Sequence, residues 1–285
     1  MSTPRVWLVT GASSGFGRLL TELALSNGDN VVATARDTDA LSTLSDTYPA
    51  SRLLVFKLDV TVPADISAAF AAAHAQFGRV DVVFNNAGYG VLAEVEGTPD
   101  EVARGVFETN FWGAANVSRE AVRVFRDVNP RGVGGMLITT SSFVGMKPLP
   151  CSGYYSASKY ALEALTDSLA HEIDPAWNIK ITLIEPGTFN TSAITKSVAM
   201  PPPEAYAGPT VPAAQVRKML TGLGSMKLGD PKKAVSKIWE LTALENPPLR
   251  LVLGKDAFMH IRGQVESVTA EIAKYESWSD NLQED

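Results

Sequence analysis

Hydrophobic residues along the chain follow two alternating patterns. Short apolar runs rich in β-branched residues are typical of strands buried on both faces, and they occur at 5–10, 30–35, 53–58, 80–84, 135–140, 179–185 and 250–253. Apolar residues at helical spacing predict helices at 18–25, 63–77, 100–128 and 153–173. Strands that alternate with helices predict an α/β fold: a three-layer, doubly wound parallel sheet, or Rossmann fold, of about seven strands with right-handed crossovers.

Polar or glycine-rich segments follow the carboxyl ends of four predicted strands. They begin at Gly11, Asn85, Ser141 and Pro186. Because ligands of open α/β sheets bind at the carboxyl ends of the strands, these segments predict a single site at one edge of the sheet.

The segment after the first strand has the sequence Gly-Ala-Ser-Ser-Gly-Phe-Gly and leads directly into a helix. Strand, glycine-rich turn and helix form the context in which glycines indicate a dinucleotide site. Gly11 permits the tight turn, Gly15 lets the backbone approach a pyrophosphate, and Gly17 lets the helix pack closely. Because the N–H groups at the start of the helix attract phosphates, the segment predicts a bound dinucleotide.

Tyr155 and Lys159 lie four residues apart in a predicted helix, and Tyr155 follows Ser142 by thirteen residues. Residues i and i+4 share one face of a helix, so the phenol and the ammonium are held side by side. At an effective dielectric of about 20, a positive charge about 4 Å away favours the phenolate by roughly 4 kcal/mol, on the order of three pKa units. We therefore expect the pKa of Tyr155 to fall toward neutrality, where a general acid/base works best.

The strand at 30–35 ends in Ala35 and is followed by Arg36 and Asp37. Many NAD enzymes have an acidic residue at the end of this strand, where it binds the ribose 2′-hydroxyl. An arginine pairs instead with a 2′-phosphate, and a hydrogen bond to a charged group contributes about 1.5–3 kcal/mol. We therefore expect NADP(H) rather than NAD(H). The alternative is a solvated Arg36 that pairs with Asp37 or Asp39.

Taken in order, these motifs resemble the short-chain dehydrogenase/reductase superfamily. The resemblance covers residues 5–191 and rests on Thr10-Gly11-x3-Gly15-x-Gly17, Asp59-Val60, Asn85-Asn86-Ala87-Gly88, Asn110, Ser142, Tyr155-x3-Lys159 and Pro186-Gly187. Residues 34–37 and the long C-terminal part are similar to the longer, lid-bearing members, such as 17β-hydroxysteroid and retinol dehydrogenases.

The resemblance implies a catalytic set of Asn110, Ser142, Tyr155 and Lys159. Ser142 would hydrogen-bond the substrate carbonyl, and Tyr155 would donate the proton during reduction. Lys159 would bind the nicotinamide ribose and lower the tyrosine pKa. Asn110 would hold a water on the proton path through its backbone carbonyl in a distorted helix. The alkoxide that forms would thus meet a preorganised pair of donors.

The resemblance also implies which residues contact the cofactor. Besides Tyr155 and Lys159 they are Gly11, Ser13, Ser14, Gly15, Phe16, Gly17, Arg36, Asp59, Val60, Asn86, Ala87, Gly88, Pro186, Gly187, Thr188 and Thr191. Asp59 would contact adenine, and the alternative is that it is a simple turn residue. Pro186 to Thr188 would flank the nicotinamide, with Thr191 near its carboxamide or phosphate.

The segment 189–229 interrupts the alternation of strands and helices with five prolines between 201 and 212, before a helix expected near 213–223. A long irregular insertion is more often functional than idle, so we expect a substrate lid; a surface excursion or an oligomer contact is the alternative. Phe143, Val144, Pro150 and Phe189 predict an apolar substrate pocket. Cys151 either faces this pocket or is a small buried residue.

We expect one domain over 1–285, with the lid insertion at 189–229 and a helical tail at 254–280. Apolar residues of the tail recur at helical spacing, and we expect them to pack on the body or on a second subunit. We further expect a homodimer or homotetramer that pairs through the predicted helices at 100–128 and 153–173.

Composition argues against several other classes of protein. A net charge of −6 and a pI of about 5.2 do not fit a nucleic-acid surface. The single cysteine, Cys151, fits a reducing compartment, and we find neither a signal-peptide pattern nor an apolar run as long as a membrane span. The histidines are too far apart for a metal site, so no metal is expected. We therefore expect a cytoplasmic protein.

These motifs together predict an NADP(H)-dependent oxidoreductase that interconverts a hydrophobic ketone or aldehyde and its alcohol by hydride transfer. Two alternatives remain open. One is an NADP(H)-binding regulator without turnover, against which the complete catalytic set argues. The other is a biosynthetic isomerase, epimerase or cyclase that reuses the same pocket.

Overall fold

The computed structural model describes residues 3–222 and 227–283. Its main strands are β1 (Val6–Val9), β2 (Asn30–Ala35), β3 (Leu53–Lys57), β4 (Val82–Asn85), β6 (Gly135–Thr140), β7 (Ile179–Pro186) and β9 (Arg250–Leu253). Within the described residues they form a seven-stranded sheet in the order β3-β2-β1-β4-β6-β7-β9, and every neighbouring pair is parallel. The predicted doubly wound parallel sheet is confirmed.

Helices cover both faces of the sheet. They are α1 (Gly15–Ser26), α2 (Ser42–Thr47), α3 (Pro63–Phe77), α4 (Asp100–Phe107), α5 (Ala114–Arg123), α6 (Gly153–Glu172), α7 (Ser192–Thr195), α8 (Pro212–Thr221), α9 (Pro231–Leu241) and α10 (Lys255–Tyr275). Residues of α1, α2 and α9 pack on one face, and residues of α3, α5 and α6 pack on the other.

Strand residues alternate between the two layers of core. Trp7 and Val9 belong to the core under α1, whereas Leu8 between them belongs to the core under α3. Successive side chains of a strand point to opposite faces, and here both faces are covered. This explains why the strands appear in the sequence as continuous apolar runs rather than as alternating ones.

The bounds of β2, β6, β9 and α3 agree with the predicted ranges. The predicted helix at 100–128 is one continuous run of helical turns, but it widens into π-helical turns at Glu108–Gly113 and Val124–Val128. The predicted helix near 213–223 is observed as α8, and residue 223 lies outside the described residues. The helix α9, whose apolar face packs against α1, was not predicted.

The segment predicted as a lid has an ordered connection to the body that the sequence did not indicate. Within it, β8 (Val198–Ala199) pairs in parallel with β5 (Val91–Leu92), which lies in the loop after β4. This two-stranded sheet joins the segment to the part of the chain that follows the Asn85–Gly88 motif.

Candidate active site

The turn after β1 has glycine where the backbone requires it. Gly11 and Gly15 have φ of 67° and 55°, in the left-handed region that favours glycine. A Cβ on Gly17 would lie 2.3 Å from the carbonyl oxygen of Gly11, so α1 approaches the turn too closely for any side chain there. The nearest heavy atom to a Cβ built on Gly15 is Cβ of Thr191, at 3.7 Å. The turn therefore keeps side chains away from the start of α1, where the N–H groups of a helix attract phosphate, and the binding of a pyrophosphate there stays a prediction.

Thr10 ties this turn to the loop after β4. Its Oγ1 accepts hydrogen bonds from the N–H groups of Asn86 and Ala87, at 2.9 and 3.0 Å. Its carbonyl accepts one from Nδ2 of Asn86 at 3.2 Å. The chain leaves β1 and β4 toward opposite edges of the sheet, so the two loops meet at the topological switch point where such sheets bind ligands.

The helix α6 holds Tyr155 and Lys159 beside the end of β6. Lys159 is only 5% exposed, and its Nζ donates a hydrogen bond to the carbonyl of Thr140 at 2.8 Å. Ser142 follows β6 in extended conformation and is buried; its Oγ accepts a long hydrogen bond from the N–H of Val144 at 3.4 Å. The ring of Tyr155 is half-buried between two apolar clusters.

Asn110 joins α6 to the loop after β4. It lies in the π-helical turn Glu108–Gly113, which agrees with the expected distorted helix. Its Oδ1 accepts from the N–H of Tyr89 at 3.0 Å, and its Nδ2 donates to the carbonyl of Tyr89 at 2.9 Å and to Oγ of Ser158 at 3.3 Å. A Cβ on Gly88 would lie 2.9 Å from Oδ1 of Asn110 and 3.7 Å from Nζ of Lys159. The water held by Asn110 stays a prediction.

The prediction that the pKa of Tyr155 falls is wrong: in the surroundings that the protein itself provides, the pKa rises. Burial raises the pKa of the phenol above its usual 10.0, and a hydrogen bond with Ser142 offsets this only in part. Burial also lowers the pKa of Lys159 to about 8, against the opposing effect of the Glu163 charge. Because desolvation disfavours both charged forms, the phenol of Tyr155 is neutral at pH 7.

Behind Lys159 lies a group that we call the carboxylate cluster: Glu163, Asp167, Glu185 and Arg250. Glu163 and Glu185 are 3% and 1% exposed. Nε of Arg250 lies 3.3 Å from Glu163 and 3.4 Å from Glu185, in ion-pair contacts without hydrogen-bond alignment, while its Nη2 donates to Asp167 at 2.7 Å. Burial raises the pKa of both glutamates, that of Glu185 to about 7.

Arg36 is exposed at the end of β2 and has no hydrogen-bond or ion-pair partner among residues 3–222 and 227–283. The alternative of an ion pair with Asp37 or Asp39 is therefore not observed. Burial raises the pKa of nearby Asp59, but hydrogen bonds from Thr61 and the charge of Arg36 bring it below its usual value. Because its Oδ1 accepts from the N–H and Oγ1 of Thr61, Asp59 does close a turn, and its contact with adenine stays a prediction.

The loop after β7 is shaped by Asp256 in the first turn of α10, a residue that was not predicted. Oδ2 of Asp256 accepts a hydrogen bond from the N–H of Thr188 at 2.7 Å. A Cβ on Gly187 would lie 2.1 Å from Oδ1 of Asp256, so the glycine permits this contact. Pro186 to Thr188 are thereby held at the same edge of the sheet as the other predicted cofactor residues.

The remaining predicted cofactor residues adjoin this edge. Ser13, Ser14 and Phe16 form the turn and the start of α1, and Val60 is buried against Gly113. Their contacts with a cofactor stay predictions.

The four residues predicted to line a substrate pocket do not lie together. Phe143 and Val144 are buried in a cluster that Tyr155 borders, whereas Pro150 is exposed. Phe189 belongs to a different cluster.

Phe189 packs edge-on against Phe16, with ring centroids 5.4 Å apart. It also contacts Gly229, where a Cβ would lie 2.5 Å from its ring. These contacts place its ring beside the glycine-rich turn, away from Phe143 and Val144, because the residues after β7 fold back over α1.

The helix α8 is fastened to the body by a group that we call the lid anchor: Glu94, Arg217 and Cys151. Nε of Arg217 donates to Oε1 of Glu94 at 3.0 Å, and its Nη2 donates to Oε2. Nη1 of Arg217 donates to the carbonyl of Met200 at 2.7 Å, within the same segment. Cys151 donates from its Sγ to Oε1 of Glu94 and to the carbonyl of Ala213, at 3.4 and 3.2 Å.

The Glu94 carboxylate is 3% exposed and remains ionised. Burial by itself would raise its pKa, but the hydrogen bonds from Arg217 and Cys151 outweigh burial and lower it. Burial, assisted by the Glu94 charge, raises the pKa of the Cys151 thiol to about 11. Cys151 is therefore the small buried residue of the two alternatives. No local signal predicted the anchor, because Glu94 and Arg217 are separated by 123 residues.

Comparison with known proteins agrees with the geometry of this site. The family model described as short chain dehydrogenase matches residues 5–201. The chain belongs to this family, and its fold and glycine-rich turn are those of an oxidoreductase.

Several relatives extend over nearly the whole chain. An uncharacterized oxidoreductase of Schizosaccharomyces pombe is 35% identical over 100% of this chain and 94% of its own length. A 3-ketodihydrosphingosine reductase of Bacteroides thetaiotaomicron is 31% identical over 88% of each chain. The solved structure of a short-chain dehydrogenase from Streptomyces avermitilis is 37% identical, covers 100% of both chains and has a TM-score of 0.88.

Related structures contain both nicotinamide cofactors. A member from Burkholderia phymatum, solved with NAD, is 27% identical over 94% of this chain and 95% of its own, with a TM-score of 0.77. A member from Burkholderia cenocepacia, solved with NADP, is 25% identical over 95% and 97%, with a TM-score of 0.72.

Among the residues that the structure describes, no helix combines the length and the apolar character needed to cross a bilayer. The same residues contain no cluster of three or more histidine, cysteine, aspartate or glutamate side chains arranged to hold a metal ion.

Proposed function

We propose that the protein is an NADP(H)-dependent reductase that converts hydrophobic ketones or aldehydes to alcohols and catalyses the reverse reaction. The observation that carries the proposal is the convergence of Tyr155, Lys159, Ser142 and Asn110 beside the glycine-rich turn. These residues come from α6, the loop after β6 and a π-helical turn, yet they meet at one edge of the sheet.

The cofactor, when bound, supplies the hydride. Oγ of Ser142 and the phenol of Tyr155 hold the substrate carbonyl, and Tyr155 donates its proton as negative charge develops on the carbonyl oxygen. A phenol whose pKa lies above 10.0 is protonated at neutral pH, which favours reduction. The pKa of Lys159, about 8, leaves it mostly charged at pH 7, so it stabilises the phenolate that remains.

Arg36 supports the preference for NADP(H). It is exposed, has no ion-pair partner among the described residues, and lies at the end of β2 near Asp59. Since related structures contain NAD or NADP, the preference must come from this chain's own residues. We expect Arg36→Ala to raise the KM for NADPH by about tenfold or more and to leave that for NADH nearly unchanged. Equal changes in both would contradict the assignment.

Apolar surroundings support a lipophilic substrate. Tyr155 borders one cluster with Val91, Ala93 and Val106 and another with Phe143 and Val144. The similarity to a 3-ketodihydrosphingosine reductase, named for a long-chain ketone, is consistent with this substrate class.

Nζ of Lys147 donates a hydrogen bond to Gln264 at 2.9 Å, so this lysine is not free to bind an anionic substrate. A preference for small charged hydroxy acids over lipophilic carbonyls would contradict the proposal.

NADPH oxidation with a panel of carbonyl compounds tests the activity. We expect Tyr155→Phe to lower kcat by about 10²- to 10⁴-fold because the proton donor is lost, while NADPH binding is retained. Tyr154→Phe is the matched control, since Tyr154 adjoins Tyr155 but has no lysine one turn later. NADPH binding without any turnover by the wild type would favour the regulator alternative.

NADPH labelled with deuterium at C4 separates simple reduction from isomerisation or cyclisation. We expect the label in the alcohol product. A product without deuterium would favour the biosynthetic alternative.

The lid function of 189–229, the single domain over 1–285 and the homo-oligomer are parts of the same proposal. The lid anchor supports the first, because it holds α8 across the loop that follows β4. A lid implies that changes in the anchor alter KM for the carbonyl more than KM for NADPH.

A further inference from the structure

The C-terminal helix α10 leaves the body of the protein after its first two turns. Ala257 is fully buried and Ile261 packs against the cluster of Phe143 and Val144. From 265 to 283 every residue is exposed. Most of the stability of a protein helix comes from packing of its apolar face, and an unpacked helix of this length is marginal in water. The distal part of α10 therefore needs a surface to cover it.

The apolar side chains of this part form a single seam, which we call the α10 seam. Along it, steps of three and four residues alternate: Phe258, Ile261, Val265, Val268, Ile272 and Tyr275, the last residue of α10. Val265, Ile272 and Tyr275 are 52%, 65% and 47% exposed. An average spacing of 3.5 residues is the heptad repeat, which is typical of a helix that packs along another helix.

The charges beside the seam argue against a membrane surface as its partner. Between 262 and 283, two positive residues, Arg262 and Lys274, stand against four negative ones, which leaves a net charge of −2. Helices that lie on membranes carry lysine and arginine on their polar face.

We propose that the α10 seam pairs in antiparallel orientation with the α10 seam of a second copy of this chain. In this orientation Val268 faces Ile272 and Val265 faces Tyr275 of the second copy. Arg262 then lies opposite Glu276 of the second copy, and the two-fold axis produces this attractive pair twice. In the parallel orientation, Glu271 of each copy would lie opposite Glu276 of the other, which gives two repulsive contacts. The antiparallel orientation leaves one repulsive contact, between the two Glu271 side chains near the two-fold axis.

The antiparallel arrangement also brings the second copy to the proposed substrate site. It places the turn Glu276–Ser279 of the second copy near Ile261, at the root of α10. There the ring of His260 stacks on Phe143 with centroids 5.0 Å apart, and Phe143 shares a cluster with Tyr155. The C-terminal end of one copy thus borders the apolar pocket of the other; this second part rests on the proposed function.

Sedimentation of the full-length protein tests the pairing without reference to activity. Val268→Asp places a charge in the seam, and Ala270→Asp places the same charge on the outer face of the same turn. We expect the wild type and Ala270→Asp to have the same mass, at least twice the chain mass of 30.5 kDa, and Val268→Asp to have half of it. Equal masses for all three would overturn the proposal, as would a monomeric wild type that floats with anionic phospholipid vesicles.

Cross-linking tests the orientation. Val268→Cys and Ile272→Cys are prepared separately, mixed and oxidised; the native Cys151 is buried and does not interfere. Antiparallel pairing predicts a disulfide between the two different variants and little within either alone. Disulfides within each single variant would show parallel pairing and overturn the arrangement.

Kinetics of the same variants test the contribution to the pocket. We expect Val268→Asp to raise KM for a lipophilic carbonyl several-fold and to leave KM for NADPH unchanged, relative to Ala270→Asp. Halved mass with an unchanged carbonyl KM would overturn the pocket contribution and leave the pairing supported. If the wild type turns over no carbonyl, the proposed function fails, and sedimentation still decides the pairing.

Discussion

Two regions of the molecule place buried carboxylates against an arginine, with opposite results. In the lid anchor, Arg217 serves one carboxylate, Glu94, through two hydrogen bonds, and the pKa of Glu94 is lowered. In the carboxylate cluster, Arg250 is shared by three carboxylates, and burial raises the pKa of Glu163 and Glu185. All three glutamates have little exposed surface, but Glu163 and Glu185 lie deeper in the protein than Glu94, so depth of burial and the shared arginine together raise their pKa.

The physical reason is that desolvation destabilises every buried charge, and only well-aligned hydrogen-bond partners offset this cost. A bidentate contact does so for Glu94. Nε of Arg250 contacts Glu163 and Glu185 without hydrogen-bond alignment, and the two carboxylates repel each other. The lid anchor is thus a fixed ion pair, whereas in the cluster the pKa of Glu185, raised to about 7, lets this carboxyl exchange its proton near neutral pH.

Loss of Arg250 is the largest effect that this comparison predicts. Arg250→Met leaves Glu163 and Glu185 buried without their cation, and we expect the free energy of unfolding to fall by about 3 kcal/mol. Urea denaturation measures it. Arg104→Met is the control, because Arg104 and Asp100 form an exposed pair and we expect no measurable loss of stability. If Arg250→Met and Arg104→Met lost similar free energy of unfolding, the distinction between the buried cluster and an exposed ion pair would not hold.

Loss of Arg217 is expected to have a smaller and more local effect. Arg217→Met leaves the carboxylate of Glu94 unpaired, at a cost of about 2 kcal/mol, but α8 is able to move away and admit water. Faster amide exchange throughout α8 would measure this. Lys218→Met, a neighbouring exposed lysine of α8, should leave the exchange unchanged. A uniform change across the whole sheet would contradict a local anchor.

The pH dependence of stability should have opposite signs in the two regions. Because the pKa of Glu94 is lowered, its contribution is present above the usual 4.5 and is lost as pH falls through the folded value. The free energy of unfolding of Glu94→Gln should therefore lie furthest below that of the wild type at neutral pH. The difference should shrink in acid.

Glu185 reverses this relation. Its pKa is raised to about 7, so the unfolded chain releases the proton first and wild-type stability falls as pH rises from about 4.5 to 7. In denaturation at several pH values, the free energy of unfolding of Glu185→Gln should rise relative to that of the wild type as pH increases across that range. If the difference in the free energy of unfolding between Glu185→Gln and the wild type widened toward acid, the raised pKa of Glu185 would be contradicted.

Reactivity of Cys151 is the smallest expected effect. With a pKa of about 11 and a buried thiol, it should react with iodoacetamide at pH 8 on the order of a hundredfold more slowly than a free cysteine. Arg217→Met should speed the reaction by loosening α8, and Arg250→Met should not. Equal acceleration by both would show general unfolding instead of a local opening.

Local spacing was enough to predict much of the site. Gly11, Gly15 and Gly17 indicated a turn that only glycine permits, and the i, i+4 pair of Tyr155 and Lys159 follows from the pitch of a helix. The continuous apolar runs indicated strands buried on both faces, so the parallel sheet followed as well.

Contacts between distant residues were not predictable in this way. Glu94 and Arg217 are too far apart in sequence for any local pattern to pair them. Phe189 packs apart from Phe143 and Val144 because its position depends on how the chain returns over α1. The pKa of Tyr155 was misjudged because the charge of Lys159 was counted and the desolvation of both groups was not.

The sequence by itself determined the sheet, the glycine-rich turn and the spacing of Tyr155 and Lys159 on one helix, because these depend on periodicity and on backbone conformations within a few residues. Only the tertiary structure decided which buried groups carry charge, where the segment 189–229 is fastened and that α10 leaves the body. Those properties depend on which distant side chains share one volume, and on how much water is left around them.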